Sequence, residues 1–109
     1  MPDFNKTLGD LQNQLESLAK LTFKEYKDEA FEDGKVFVNK IKVDLERLSN
    51  LLINGEITAE EFEWLILSKK DLAEMILLKQ KGLALVRVDQ FKGSVLNLVI
   101  DSLLSKFLP

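Results

Sequence analysis

The chain has 109 residues, of which 46% are hydrophobic and 30% charged, and its formal net charge is −3. This size and balance are typical of one soluble globular domain. The sequence contains neither cysteine nor histidine, which excludes disulfides, thiolate or histidine metal sites, and Ser/His or Cys/His catalytic pairs. The negative charge argues against a nucleic-acid partner, because such a protein needs a basic face.

The chain ends carry no sign of a secretory or membrane segment. The first ten residues lack a charged stretch followed by an apolar one. The most apolar segment, residues 95–108, is shorter than the ~20 residues of a membrane span and contains Asn97, Asp101 and Lys106. We therefore expect a cytoplasmic protein. Because the two prolines stand at positions 2 and 109, long helices are favoured throughout.

The first predicted helix covers residues 4–18, where apolar residues alternate at spacings of four and three. That pattern is a seam for packing against one neighbouring helix. Thr22 and Glu25 have the spacing of a capping box, so we expect either a break near residues 19–22 or one bent helix. The seam consists of Phe4, Leu8, Leu11, Leu15 and Leu18.

The second predicted helix covers about residues 23–53, with one apolar stripe from Phe23 to Leu52 and charged residues opposite. Gly34 lies on the stripe, which continues past it. We therefore interpret Gly34 as a close helix–helix approach rather than as a helix end.

A tight reversal at residues 54–57 divides the chain near its midpoint. Gly55 follows an apolar helical run, as a left-handed C-cap requires. Thr58 then offers its hydroxyl as an N-cap, and Glu61 stands three residues later to complete a capping box. We therefore predict that Gly55, Thr58 and Glu61 form a structural turn.

The same turn invites comparison with two known motifs. In an EF-hand with Gly55 at its sixth position, Leu52 would occupy the third, where an oxygen ligand is needed, so calcium binding is not expected. The run Gly55-x-Ile57-Thr58-x-Glu60-Glu61-Phe62-Glu63, with Leu45 and Leu48 before it and Lys69 and Lys70 after it, resembles the short bacterial helical hairpin called SHOCT. The resemblance covers residues 45–72 and implies a small interaction or oligomerisation module, not an enzyme.

The third predicted helix begins at Ala59 and is apolar on two sides. One sector from Phe62 to Ile76 is the expected core face. The second group, nearly opposite, consists of Trp64, Leu67, Met75 and Leu78. Such a helix is either enclosed in a larger core or in contact with another chain.

The last predicted helix covers residues 84–107, with Gly82 as a candidate break before it. Its apolar sector spans about half the circumference and includes Leu96, Ile100, Leu103 and Phe107. One antiparallel neighbour covers a much narrower seam. This helix must therefore be buried by several helices, by another subunit or by lipid.

Together these patterns predict one all-α domain, residues 1–109, built as two antiparallel arms at about 4–53 and 58–107. Breaks near 19–22 and 82 would give an up-down four-helix bundle, whereas continuous arms would form a long, self-associating hairpin. We favour self-association. No phosphate-binding glycine loop occurs, and capping accounts for the paired carboxylates, so no catalytic residue, cofactor or metal is expected.

The predicted function is a non-catalytic structural or protein–protein interaction module. Its expected partner is a second copy of the chain or another helical protein. The alternative is a membrane-surface or lipid-binding protein that uses the last, amphipathic helix. The predicted interface comprises Trp64, Leu67, Met75, Leu78, Leu96, Ile100, Leu103 and Phe107.

Overall fold

The computed structural model describes residues 3–77 and 85–108, and these residues form helices without any strand. The predicted all-α class is confirmed. The helices are α1 (Phe4–Thr22), α2 (Lys27–Ile53), α3 (Ala59–Leu67), α4 (Lys70–Leu77) and α5 (Leu85–Phe107).

The helices pack side by side rather than as one long hairpin. Helix α1 lies against α2 and α5, while α3 and α4 lie against α5 and α2. The ring of Phe4 is 6.2 Å from that of Phe107, and the ring of Phe23 is 5.2 Å from that of Phe91, so α1 and α5 run antiparallel. Continuous arms would each reach about 75 Å at 1.5 Å per residue, but the molecule measures 44 × 24 × 19 Å. The long hairpin is therefore not the form that the chain takes.

The first arm breaks at residues 23–26, just after the predicted stretch 19–22, and the predicted cap does not form. Helix α1 ends at Thr22, whose hydroxyl donates to the Leu18 carbonyl at 2.9 Å. Tyr26, the residue before α2, makes no side-chain capping bond, so the Thr22–Glu25 capping box is wrong. Phe23 belongs to the end of α1 and is buried against Phe91. The break thus coincides with a buried aromatic contact and has no side-chain cap at the start of α2.

The second arm has a break that the sequence analysis did not predict, between α3 and α4. Helix α3 ends at Leu67, and the Ser68 hydroxyl donates to the Leu65 carbonyl at 2.6 Å. Lys69 then forms an ion pair with Asp44 of α2. The predicted break at Gly82 lies outside the described residues.

The core lies between the helices and includes apolar residues from all of them. One close helix approach is at Gly34 of α2, which is buried against Leu15 of α1. A Cβ atom at Gly34 would stand 2.8 Å from Leu15 Cδ2, closer than carbon atoms pack. The prediction of a close approach at Gly34 is confirmed.

No helix in the described part of the chain has the length and apolar character that crossing a membrane requires.

Candidate functional site

The turn that carries α3 forms with the predicted residues. Gly55 has φ +73°, and its N–H donates to the Leu52 carbonyl at 3.1 Å. The next N–H, of Glu56, donates to the Leu51 carbonyl at 2.9 Å, which completes a Schellman motif. The positive φ explains the glycine, because an L side chain is strained in this region.

The first turn of α3 is closed by a reciprocal pair of hydrogen bonds. The Glu61 N–H donates to the Thr58 hydroxyl at 3.0 Å, and the Thr58 N–H donates to Glu61 Oε1 at 3.0 Å. The predicted capping box is therefore confirmed. It gives α3 a defined start and a defined direction.

Helix α3 is apolar on both sides, and the two sides have different surroundings. Phe62 and Ile66 are 0% exposed and belong to the core. On the outward side Trp64 is 75% exposed and Leu67 is 41% exposed. These two residues are three positions apart, so their side chains are neighbours on the helix surface. We call this pair, Trp64 and Leu67, the α3 outer face.

The predicted interface residues of the last helix are buried within the single chain. Leu96, Ile100, Leu103 and Phe107 have exposed fractions of 4%, 3%, 0% and 3% within the single chain. The physical reason is that α5 packs against all four other helices, so its wide apolar sector is covered without a second subunit. The sequence analysis allowed burial of this helix by several helices, by another subunit or by lipid. In the structure, several helices of the same chain bury it.

The remaining predicted interface residues are not placed by the structure. Leu78 and the side chain of Met75 lie outside its described part. Of the predicted interface residues that the structure does describe, Trp64 and Leu67 are the ones exposed at the surface.

Two acidic side chains lie one helical turn to the amino-terminal side of the α3 outer face. Glu60 and Glu63 are both exposed. At 100° per residue, Glu60 lies about 40° from Trp64 around the helix, and Glu63 lies about 40° from Leu67. Neither carboxylate forms an ion pair or hydrogen bond with the described residues. The spacing is visible in the sequence, because each glutamate stands four residues before one of the two apolar residues.

The junction after α3 is held by an ion pair that local spacing does not signal. Lys69 Nζ contacts Asp44 Oδ2 on α2, and Arg47 Nη2 lies 3.7 Å from Asp44 Oδ1. The hydrogen bond from Lys69, its charge, and the smaller effect of Arg47 hold the pKa of Asp44 below its ordinary value. The two partners are 25 residues apart in the chain, so only the folded structure shows the pair.

Outside α3, the exposed large apolar residues are Leu21, Tyr26, Val36, Val43 and Leu108. Scattered apolar residues are normal on protein surfaces. The α3 outer face differs because an aromatic and an aliphatic side chain adjoin on one short helix that is fixed at both ends.

Within the described residues, no group of three or more acidic side chains is placed to bind a metal ion. Two shallow grooves of about 320 and 280 Å³ lie between α1 and α5. Amide and hydroxyl side chains predominate in their lining, which includes Asn13, Gln14, Asn97, Ser102 and Ser105. Such a lining can form hydrogen bonds but supplies no activated nucleophile.

Comparison with known proteins assigns no family. No protein-family model matches the chain, and searches of curated proteins and of solved structures also give no match. The SHOCT resemblance of residues 45–72 stays a prediction.

Proposed function

We propose that this protein is a non-catalytic interaction module that binds a protein partner through the α3 outer face. The observation that carries the proposal is the 75% exposure of Trp64, the single tryptophan of the chain. Tryptophan is enriched among the side chains that dominate binding energy in protein interfaces. An indole in water on an otherwise well-packed domain is therefore the best anchor that the molecule offers to a partner.

The backbone beneath the α3 outer face supports this role. Helix α3 is capped at its start by Thr58 and Glu61, buried along its inner side, and followed by the Lys69–Asp44 pair. An anchor on such an element loses little backbone entropy on binding, because the element is already ordered.

The lipid-binding alternative has less support. It requires an apolar face of α5 that reaches the acyl chains. Leu96, Ile100 and Leu103 are buried by the protein's own helices. Their exposure to lipid would require the core to open, so we do not propose this function.

The experiment begins with site-specific photocrosslinking from position 67 in extract of the source cells. A photoreactive side chain at Leu67 is compared with one at Val43, which is exposed but isolated. Any protein crosslinked from position 67 alone is purified and labelled with a fluorophore, and its affinity for each variant of the chain is measured from the fluorescence anisotropy of that label.

The expected result is a purified partner that binds the wild-type chain directly. Trp64→Ala should then weaken the affinity by about 30-fold or more, as a hot-spot truncation of at least ~2 kcal/mol does. Val43→Ala should leave the affinity within about twofold. A crosslinked protein that binds Trp64→Ala as tightly as wild type would contradict the proposal, as would failure of every crosslinked protein to bind when purified.

A further inference from the structure

Exposed carboxylates lie near the indole of Trp64, and their charge indicates which chemical groups a partner would present to it. Its neighbour Glu60 is exposed and forms no ion pair within the described part of the chain. Glu60 stands four residues before Trp64, one turn towards the helix amino terminus, which is the direction in which long helical side chains point. Glu61, on that same turn, uses Oε1 in the capping box but keeps its negative charge close by.

Another aromatic ring of this protein shows the contrast. The ring of Phe31 on α2 is covered by Lys35 Nζ at 4.5 Å, and Lys35 also pairs with Glu32 at 2.6 Å. In that cluster an aromatic face, a cation and a carboxylate are all supplied by one helix. Around Trp64 the described residues supply the aromatic face and the carboxylates, and no cation over the ring.

We infer that the α3 outer face recognises an arginine-bearing, amphipathic segment of a partner protein. A guanidinium group stacks on the indole of Trp64 while it donates hydrogen bonds to Glu60, and an apolar side chain beside it packs on Leu67. This inference rests on the proposed function and adds the partner's chemical class. Guanidinium fits both requirements, because it is planar, stacks on aromatic faces and donates to carboxylates in a bidentate manner.

A second copy of this chain is a poor occupant for the same surface. A two-fold contact places the same patch of both subunits together. It would bring Glu60 and Glu63 of one copy against those of the other, between chains that each carry a net charge of −3. Like charges opposed in an interface suppress association.

The test uses defined peptides as probes, with Trp64 fluorescence as the readout. The first probe is a short amphipathic helix of leucine, alanine and arginine. Its two twins carry citrulline, an uncharged isostere, or lysine in place of every arginine. We expect the arginine peptide to bind at least about tenfold more tightly than the citrulline twin, and binding to weaken as salt is raised.

Protein variants separate the groups involved. Glu60→Gln with Glu63→Gln should weaken binding of the arginine peptide about tenfold or more. The control, Glu25→Gln with Glu46→Gln, removes the same charge from exposed positions elsewhere and should change affinity by less than about threefold. Trp64→Leu keeps apolar area but removes the ring face. It should also weaken binding, measured with a fluorophore on the peptide.

The outcomes distinguish this inference from the function beneath it. Equal binding of the arginine and citrulline peptides, or equal losses in the two double-glutamine variants, overturns the inference. Lysine binding as tight as arginine overturns the guanidinium assignment, and a dimer that buries Trp64 at micromolar concentration overturns the choice of partner. In each case a crosslinked partner that depends on Trp64 would leave the proposed function standing. If binding of the crosslinked partner did not depend on Trp64, both this inference and the proposed function would be overturned.

Discussion

Helix α5 and the outward side of α3 both carry apolar side chains beyond one packing seam, but those of α5 are buried and those of α3 are exposed. The apolar sector of α5 is wide, and α1, α2, α3 and α4 all contact it. The α3 outer face is small, and its indole stays in water. The size of an apolar surface therefore does not indicate that it binds a partner.

The difference between α5 and α3 shows how the width of an apolar sector should be interpreted. The width of the apolar sector indicates how many neighbouring helices are needed to bury it. In a helical bundle, these helices can belong to the same chain. An apolar residue on the outer side of a helix has another meaning. The inner side of α3 already packs on the core, so an apolar residue opposite it is not needed for folding. Trp64 lies on that outer side, which makes it the better marker of a partner.

The largest expected effect tests this comparison directly. Leu103→Ala removes a 0% exposed side chain of α5 and should lower the free energy of unfolding by about 2–5 kcal/mol. Trp64→Ala should change it by less than about 0.5 kcal/mol, since surface substitutions rarely do more. Urea denaturation followed by far-UV circular dichroism measures both variants. Equal losses would place the indole in the core and break the comparison.

The next prediction tests whether the contact between α1 and α2 is packed as tightly as the core around Leu103. Gly34→Ala adds a Cβ 2.8 Å from Leu15 Cδ2, and we expect a net loss of about 1 kcal/mol after the gain in helix propensity. The control is Gly9→Ala, because nothing lies within 4 Å of its added Cβ. It should stabilise the fold by about 0.5–1 kcal/mol. If both changes stabilised the fold, the contact at Gly34 would have room for a Cβ atom, contrary to the prediction.

A similar effect is expected at the start of α3, on which the position of the α3 outer face depends. Thr58→Ala removes the acceptor for the Glu61 N–H and should cost about 1 kcal/mol. Thr22→Ala is the matched control, because the Thr22 hydroxyl bonds to the Leu18 carbonyl within α1 and caps no helix start. It should change the urea midpoint far less. Equal shifts of the midpoint for both threonines would remove the special role of the cap.

The smallest effect concerns the end of α3. Asp44→Asn removes the pair with Lys69 and should cost about 0.2–1 kcal/mol at neutral pH, since the aspartate is partly exposed. The pKa of Asp44 is lowered in the fold. The stabilisation is therefore fully present above the unfolded pKa of about 3.9 and is lost as pH falls through the lowered value.

Wild type and Asp44→Asn should accordingly differ in stability at neutral pH and converge in acid. Glu46→Gln, a change of the same charge at an exposed neighbour on α2, controls for net charge. A difference between wild type and Asp44→Asn that persists below the lowered pKa would show that the pair does not act through the aspartate charge.

The sequence by itself determined the all-α class, the end of α2 and the start of α3. These features follow from atoms close together in the chain: the Schellman bonds join residues three and five apart, and the capping box joins Thr58 to Glu61. Glycine with φ > 0 and a threonine N-cap leave few alternatives locally. For that reason Gly55, Thr58 and Glu61 could be assigned correctly from spacing alone.

The tertiary structure decided which apolar surfaces remain free. Whether Leu103 or Trp64 is covered depends on helices that are distant in sequence, and so does the pairing of Asp44 with Lys69. Phe23 likewise ends α1, instead of beginning α2, because it packs against Phe91. Periodicity tells which side of a helix is apolar, but burial depends on where the other helices lie, and that is settled by the packing of the whole chain.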